Sequence, residues 1–415
     1  MSHKYLNLSK KLDFVMIQNM KILSIETSCD ETALSLIKDN QLLLDSSNFK
    51  VLLDLVISQI DIHAEYGGVF PALAKREHAK NLPILLKSIL DCNELTFKEN
   101  SISDEVQSDV FLLLEREPGL AEKLLEMNKL FGKPDIGMLM VTYGPGLTPA
   151  LWVGINFART LSILWNIPII PVNHMQGHIA SIILKENYLD QEQALSPFSS
   201  FSFPMISLLI SGGHTQLVLV KNWSDYEILG ETIDDAVGEA FDKVARMLGM
   251  TYPGGPLVSK AAQKGKENNL IKFPRPMLHS GDFRFSFSGL KTSVRYKIRD
   301  LQEKNLLDEQ MIADIAYEFE HSVAEVLTKK TFAAIEKYNA VGLIIAGGVS
   351  ANTFIIKEFQ NKCLASNINI YTPEKKMCGD NSLMIATAGI INYWNKGKGA
   401  FVPQSEIVAV GNLKL

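Results

Sequence analysis

The most constraining feature of the chain is a pattern that occurs twice: a short apolar strand, a tight turn of small polar residues, and a second apolar strand. The first copy runs Lys21–Glu26, then Thr27-Ser28-Cys29-Asp30-Glu31, then Thr32–Ile37. The second runs Met205–Ile210, then Ser211-Gly212-Gly213-His214, then Thr215–Val220. Apolar runs of this length, bounded by turn residues, read as β-hairpins. Two halves that open alike predict a duplicated α/β core with its turns on opposite walls of one cleft. Turn amides there are placed to cradle phosphate from both sides. Leu343–Ala346, Gly347-Gly348 and a helix from about Ala351 make a third strand–glycine–helix unit, which lacks the full GxGxxG spacing.

Between these landmarks the periodicity predicts a helix within Val69–Leu90, with Pro71 near its start, and another over Pro149–Trp165. Ile136–Thr142 and Ile169–Val172 read as buried strands, and Asn173 stands where an N-cap belongs for a helix from His174. The acid-rich stretch 93–133 reads as a partly helical surface insertion, and Ser196–Pro204 as a linker. A helix is expected over Ala236–Leu248, with Tyr252–Pro256 as a loop before the next one. The expected domains are 21–203 together with 381–415, and 204–380. Residues 1–20 are expected to be an extension or a start assigned too early, since Met20 directly precedes the first strong strand.

With 415 residues, 47% hydrophobic and 21% charged, the chain can bury two full cores. A net charge of −5 gives no global attraction to nucleic acid, so RNA binding needs a local basic surface or a partner. Cys29, Cys92, Cys363 and Cys378 lack CxxC spacing, which argues against a disulfide scaffold or zinc ribbon and fits a reducing, cytoplasmic setting. No apolar run has membrane-span length, and the leader resembles neither a signal nor a transit peptide.

His174 and His178 (HMQGH) stand four apart, so on a helix both imidazoles leave one face, as metal ligation requires. A first-turn position favours their neutral, ligating form. Spacing alone is a weak signal and leaves a pair of helix-surface or satisfied core histidines open. Met175 fills the place where a zinc peptidase has its glutamate, and a third ligand must come from elsewhere. Phe283–Lys291 (FRFSFSGLK) alternates aromatic with polar residues; it reads as an alternating strand or as an RNA-stacking surface.

The series ETSCDET, GPGLTPALWVG, NHMQGHIAS, SGGHTQL, GETIDDAVGEAFDKVARMLGMTYPGGP, FSFSGLKT, AGGVSAN and CGDN resembles the tRNA N6-adenosine threonylcarbamoyltransferase family, once labelled O-sialoglycoprotein endopeptidase. The likeness runs from Met20 to about Gly389 and leaves out the leader and the 93–133 insertion. It implies the actin-like ATPase fold, two RNase H-like domains around a nucleotide and metal cleft. It further implies iron or zinc on His174, His178 and Asp380, and a pocket for threonylcarbamoyl-AMP or ATP/AMP made by Leu209, Ile210, Ser211, Gly212, Gly213, Asp242, Gly255 and Asn352. The implied reaction modifies adenine 37 in the tRNA anticodon loop, and the implied partners are a shorter paralogue of the same fold and a small P-loop ATPase. Asp30 and Glu31, on the first turn, are the candidates for assisting proton removal from N6. Sugar kinases and chaperone ATPases are the rival reading of the fold. They carry a catalytic carboxylate in a DxG turn where this chain has Ser211-Gly212-Gly213.

Overall fold

The computed structural model describes residues 20–39, 49–184, 189, 196, 198–268 and 270–415. The leader, apart from Met20, and most of 185–197 therefore lie outside the described residues. The first half contains, in order, β1 (Met20–Glu26), β2 (Glu31–Asp39), β3 (Phe49–Ser58), the two-residue β4 (Phe97–Lys98) and β5 (Lys133–Pro134), β6 (Ile136–Gly144) and β7 (Ile169–Asn173). The second half contains β8 (Met205–Ile210), β9 (Thr215–Asn222), β10 (Asp225–Glu231), β11 (Gly342–Ala346) and β12 (Asn369–Tyr371). Strand order is β3-β2-β1-β6-β7 in one sheet and β10-β9-β8-β11-β12 in the other. In both, three antiparallel meander strands are followed by two parallel ones. The duplicated hairpins thus nucleate two copies of one topology. Glu31, expected on the first turn, is already the first residue of β2.

The helices of the first half are α1 (Ile60–Ala64), α2 (Pro71–Leu90), α3 (Asp104–Leu113), α4 (Leu120–Phe131), α5 (Thr148–Trp165) and α6 (His174–Ala180). Those of the second half are α7 (Val237–Met247), α8 (Gly254–Ala262), α9 (Ser288–Glu303), α10 (Glu309–Tyr338), α11 (Thr353–Ser366) and α12 (Ser382–Lys396). Starts follow local chemistry: Asn173, Asn352 and Asn381 each accept a backbone N–H as N-cap of α6, α11 and α12. No helix among the described residues is long and apolar enough to cross a membrane.

Apolar burial divides into three cores. One lies between the first sheet and α2, α4 and α5, another between the second sheet and α7 to α11. The third lies between the two sheets, where α6 and α12 contribute Met175, Ile179, Leu383, Ile385 and Ile390 against Ile22 and Met140 on one side and Met205 and Ile344 on the other. The two sheets are therefore welded by a shared helical layer. The C-terminal tail adds a staple: Val410 N donates to Tyr143 O and Gly146 N to Gly411 O, while Lys414 pairs with Glu231 of the second sheet.

Three expectations need correction. The 93–133 segment is not merely a surface insertion, because Val110, Leu114, Leu120 and Leu124 are buried in the first core. Phe283–Lys291 is neither a strand nor a stacking surface. Phe285 and Phe287 are fully buried, because Asp234 accepts from Ser286 Oγ, Ser288 Oγ and two backbone amides and so turns the aromatics inward. Gly254-Gly255-Pro256 opens α8 rather than preceding it, since a Cβ on Gly254 would meet Ala245 Cβ at 2.3 Å and glycine lets α7 and α8 close up. The linker's Phe201 and Phe203, for their part, are anchored by edge contacts to Trp223 at 5.2 Å.

The first turn is seated on α5. Thr27 Oγ1 donates to Ala150 O at 3.1 Å, and a Cβ on Gly154 would stand 2.2 Å from Thr27 Oγ1. Gly154→Ala is expected to cost about 1–3 kcal/mol of unfolding free energy by overpacking. The check is a denaturant titration in which the midpoint falls at unchanged slope.

Candidate functional site

The site begins with a helix crossing. A Cβ on Gly177 would meet Ile385 Cδ1 at 3.0 Å and Met384 Cγ at 3.2 Å, so glycine in HMQGH lets α6 lie directly against α12. Gln176 and Asn392 lock the pair with reciprocal amide hydrogen bonds of 3.0 and 3.1 Å. Asp380, just before the Asn381 cap, is thereby delivered to the histidine face of α6. His174 Nε2 and His178 Nε2 each lie 3.3 Å from Asp380 Oδ1, and one ligand atom from each of the three residues falls within 4.8 Å of the others.

Behind the cluster, His174 Nδ1 meets Glu26 Oε2 at 3.0 Å and Ser28 Oγ at 3.2 Å. Glu26 is fully buried at the end of β1 and also accepts from Ser28 N and Thr142 Oγ1. A carboxylate on the far nitrogen fixes the tautomer, leaving Nε2 free to ligate. His178 is 1% exposed; its Nδ1 has no hydrogen-bond partner among the described residues, and its Nε2 faces the Asp380 carboxylate together with that of His174. Two imidazoles and a carboxylate converging there suit Fe2+ or Zn2+, so the donor set fits such an ion. Met175 is buried in the central core, and no peptidase carboxylate stands in its place.

Burial opposes charge on His174, but the carboxylates of Asp380 and Glu26 prevail and push its pKa well above the ordinary value. This reverses the expectation that the helix start keeps it neutral: two carboxylates in contact outweigh a partial helix dipole. Burial likewise opposes ionisation of Asp380, whose pKa is nonetheless held well below the usual carboxylate range by His174 and His178. His214, after the second turn, is pushed down to about 4 by burial and then by the charges of His174 and His178.

Both turns reach this cleft. Glu31 is pushed well above the ordinary carboxylate value by burial, then by Asp380 and Asp30. Burial, then Asp30 and Asp380, push the Cys29 thiol up as well, so it is no thiolate nucleophile. On the facing wall Gly212 and Gly213 are exposed with open space at their Cβ positions, and Ser211 N donates to His214 O at 2.9 Å to close the turn. Asp242 accepts from Gly254 N at 2.7 Å, and its pKa is raised by burial against the pull of the Gly254 and Gly255 amides, with Asp30 adding to the rise from across the cleft.

The remaining residues stand differently. Leu209 and Ile210 are core side chains of β8, so only their backbone is available to a ligand. Asn352 is committed within the protein: Oδ1 accepts from Ile355 N, and Nδ2 donates to Ser259 Oγ at 2.9 Å and Glu320 Oε1 at 2.8 Å. Sequence reasoning missed Glu26, Ser28 and His214 as site residues. Their only cue was position, at or beside a turn between two apolar strands.

Two repeated sheets around one cleft, with a His/His/Asp cluster at its floor, define a protein of the actin-like fold class with a candidate metal site. The sequence profile of tRNA N6-adenosine threonylcarbamoyltransferase matches residues 50–102 and 114–387. The chain is 39% identical over 396 residues to the tRNA N6-adenosine threonylcarbamoyltransferase of Thermosipho africanus, covering 95% of this chain and 100% of that one. It is 39% identical over 378 residues to that of Staphylococcus epidermidis, covering 91% and 93%. The chain belongs to this family. The match leaves out only 103–113 of the insertion, so most of 93–133 is family sequence. Among solved structures, full-length HypF in its phosphate- and nucleotide-bound form is similar in fold, with a TM-score of 0.51 at 13% identity, covering 92% of this chain and 47% of that chain.

Glu26→Gln is expected to weaken metal affinity by about 10–100-fold, as loss of a partner behind a ligand does. Isothermal titration of the metal-free chain measures it. Because the carboxylates of Asp380 and Glu26 raise the proton affinity of His174, an ion must compete with a proton for that ring. Affinity is then expected to fall about tenfold per unit as pH drops below the raised His174 pKa, and to level off above it.

Proposed function

We propose that the protein transfers the threonylcarbamoyl group from threonylcarbamoyl-AMP to N6 of adenine 37 in tRNAs reading ANN codons, releasing AMP. One observation carries this reading: the chain is family sequence along nearly its whole length, and its cleft keeps the His/His/Asp set beside an open glycine turn. The donor is a mixed anhydride with a good leaving group, whereas an exocyclic adenine amine is a weak nucleophile. The protein's task is therefore orientation and proton handling. The Gly212 and Gly213 amides offer donors to the phosphate, and the Asp242 carboxylate faces the ribose side. Glu31, its proton affinity raised by burial and by Asp380, together with Asp30, accepts the N6 proton as the new bond forms. Fe2+ or Zn2+ on His174, His178 and Asp380 supplies Lewis-acid polarisation when bound. Adenine 37 lies in a single-stranded loop and is unstacked at little cost.

The expected partners are tRNA, a shorter paralogue of the same fold and a small P-loop ATPase. At a net charge of −5, much of the tRNA affinity is assigned to them. The expected location is the cytoplasm. A kinase or ATPase reading is less favoured, because the second turn carries Ser211-Gly212-Gly213 and no carboxylate.

The test incubates the chain with threonylcarbamoyl-AMP and unmodified tRNA, with and without those partners, and scores modified adenosine by mass spectrometry. Formation of the modified nucleoside with release of AMP is expected. ATP hydrolysis without nucleoside formation would overturn the reading. Asp30→Ala and Glu31→Ala are each expected to lower kcat by about 100-fold or more. Wild-type rates in both would remove them as proton acceptors. His178→Ala and Asp380→Ala are expected to lose bound metal, read by elemental analysis.

A further inference from the structure

Behind the first turn, away from the metal ligands, lies a chain of buried polar side chains that the chemistry above does not use. Thr32, Gln59, His63 and His78 are each 1% exposed or less. His78 Nε2 is 3.0 Å from Cys29 O, and His78 Nδ1 is 2.8 Å from Thr32 Oγ1. Gln59 Nε2 reaches Thr32 Oγ1 at 3.4 Å and His78 Nδ1 at 3.3 Å. His63 Nε2 is 3.2 Å from Gln59 Oε1, and Phe70 N donates to His63 Nδ1 at 3.3 Å.

Only one assignment of hydrogens satisfies this set. A backbone carbonyl only accepts, so His78 carries its hydrogen on Nε2 and presents Nδ1 as an acceptor to Thr32. A backbone amide only donates, so His63 accepts on Nδ1 and donates from Nε2 to Gln59 Oε1. Every donor then points the same way, from Phe70 through His63, Gln59, Thr32 and His78 to the carbonyl of Cys29. That carbonyl belongs to the peptide leading into Asp30. The following peptide is pinned too, because Gln59 N donates to Asp30 O at 2.9 Å. Asp30 is thus fixed on both sides by residues outside the His174, His178 and Asp380 cluster.

We infer that His78, oriented by Thr32 and Gln59, is a positioning residue that sets the Asp30–Glu31 turn for proton transfer. The inference rests on the transfer reading above for what those carboxylates do. Burial lowers His78 to about 4 against the pull of its hydrogen bond to Cys29 O and of the Glu26 charge, so it stays neutral at physiological pH. A neutral ring is what a one-donor, one-acceptor geometry requires.

The test combines a spectrum with kinetics on the full chain. Long-range 1H–15N correlation of the imidazoles, with His78 assigned through His78→Gln, is expected to show the neutral Nε2–H tautomer from about pH 5 to about 8. Thr32→Val removes the hydroxyl at nearly constant shape. It is expected to mix the His78 tautomers and lower kcat for transfer by about 10–100-fold, with KM for threonylcarbamoyl-AMP and metal content within about twofold of wild type. Thr32→Ser restores both tautomer and kcat. An Nδ1–H tautomer in the wild type, an unchanged kcat in Thr32→Val, a defect in KM alone, or a Thr32→Ser variant as impaired as Thr32→Val would each overturn it. A wild type without transfer activity sinks the functional reading instead, and the tautomer then decides the donor chain alone.

Discussion

The structure depends on one close helix crossing. Gly177 brings α6 onto α12, and that contact at once joins the two sheets and assembles the His174, His178 and Asp380 cluster. Joining the sheets and gathering the three side chains are one event because all three stand on or just before the helices of the shared layer rather than on either sheet. A larger residue at Gly177 would therefore damage architecture and chemistry together, which is unusual for a position that contacts no ligand.

Electrostatics in the cleft follows from the same placement. Glu26, Asp30, Glu31 and Asp380 crowd one end of the first sheet, and His174 and His178 answer them. This crowding raises the proton affinity of both His174 and Glu31. Across from this acidic end the glycine turn offers amide donors and no carboxylate. The cleft thus has an anionic wall that holds cations and protons, and a donor wall suited to phosphate.

Much of this was legible in the sequence, and for identifiable reasons. Both hairpins showed as apolar runs around polar turns, and the helix period of HMQGH put two histidines on one face. Asp380 was legible only through the family motif series, since no periodicity links it to α6. Glu26 hid as the last residue of an apolar strand, where a carboxylate reads as the strand's end. Phe285 and Phe287 misled because period-two alternation takes no account of Asp234, which holds the intervening serines from far upstream. Asn352, expected in the substrate pocket, also joins α8, α10 and α11 through its amide, a role that no local sequence pattern shows.

The position of α12 in the chain has a consequence for biogenesis. This helix covers the inner face of the first sheet, yet it follows every strand of that sheet in chain order. While the polypeptide is being made, Ile22, Met138, Met140 and Ile170 have no α12 to cover them, and a nascent chain with open apolar sheet surface invites chaperones or aggregation. The first sheet therefore gains its inner cover only after every strand of the second has been made.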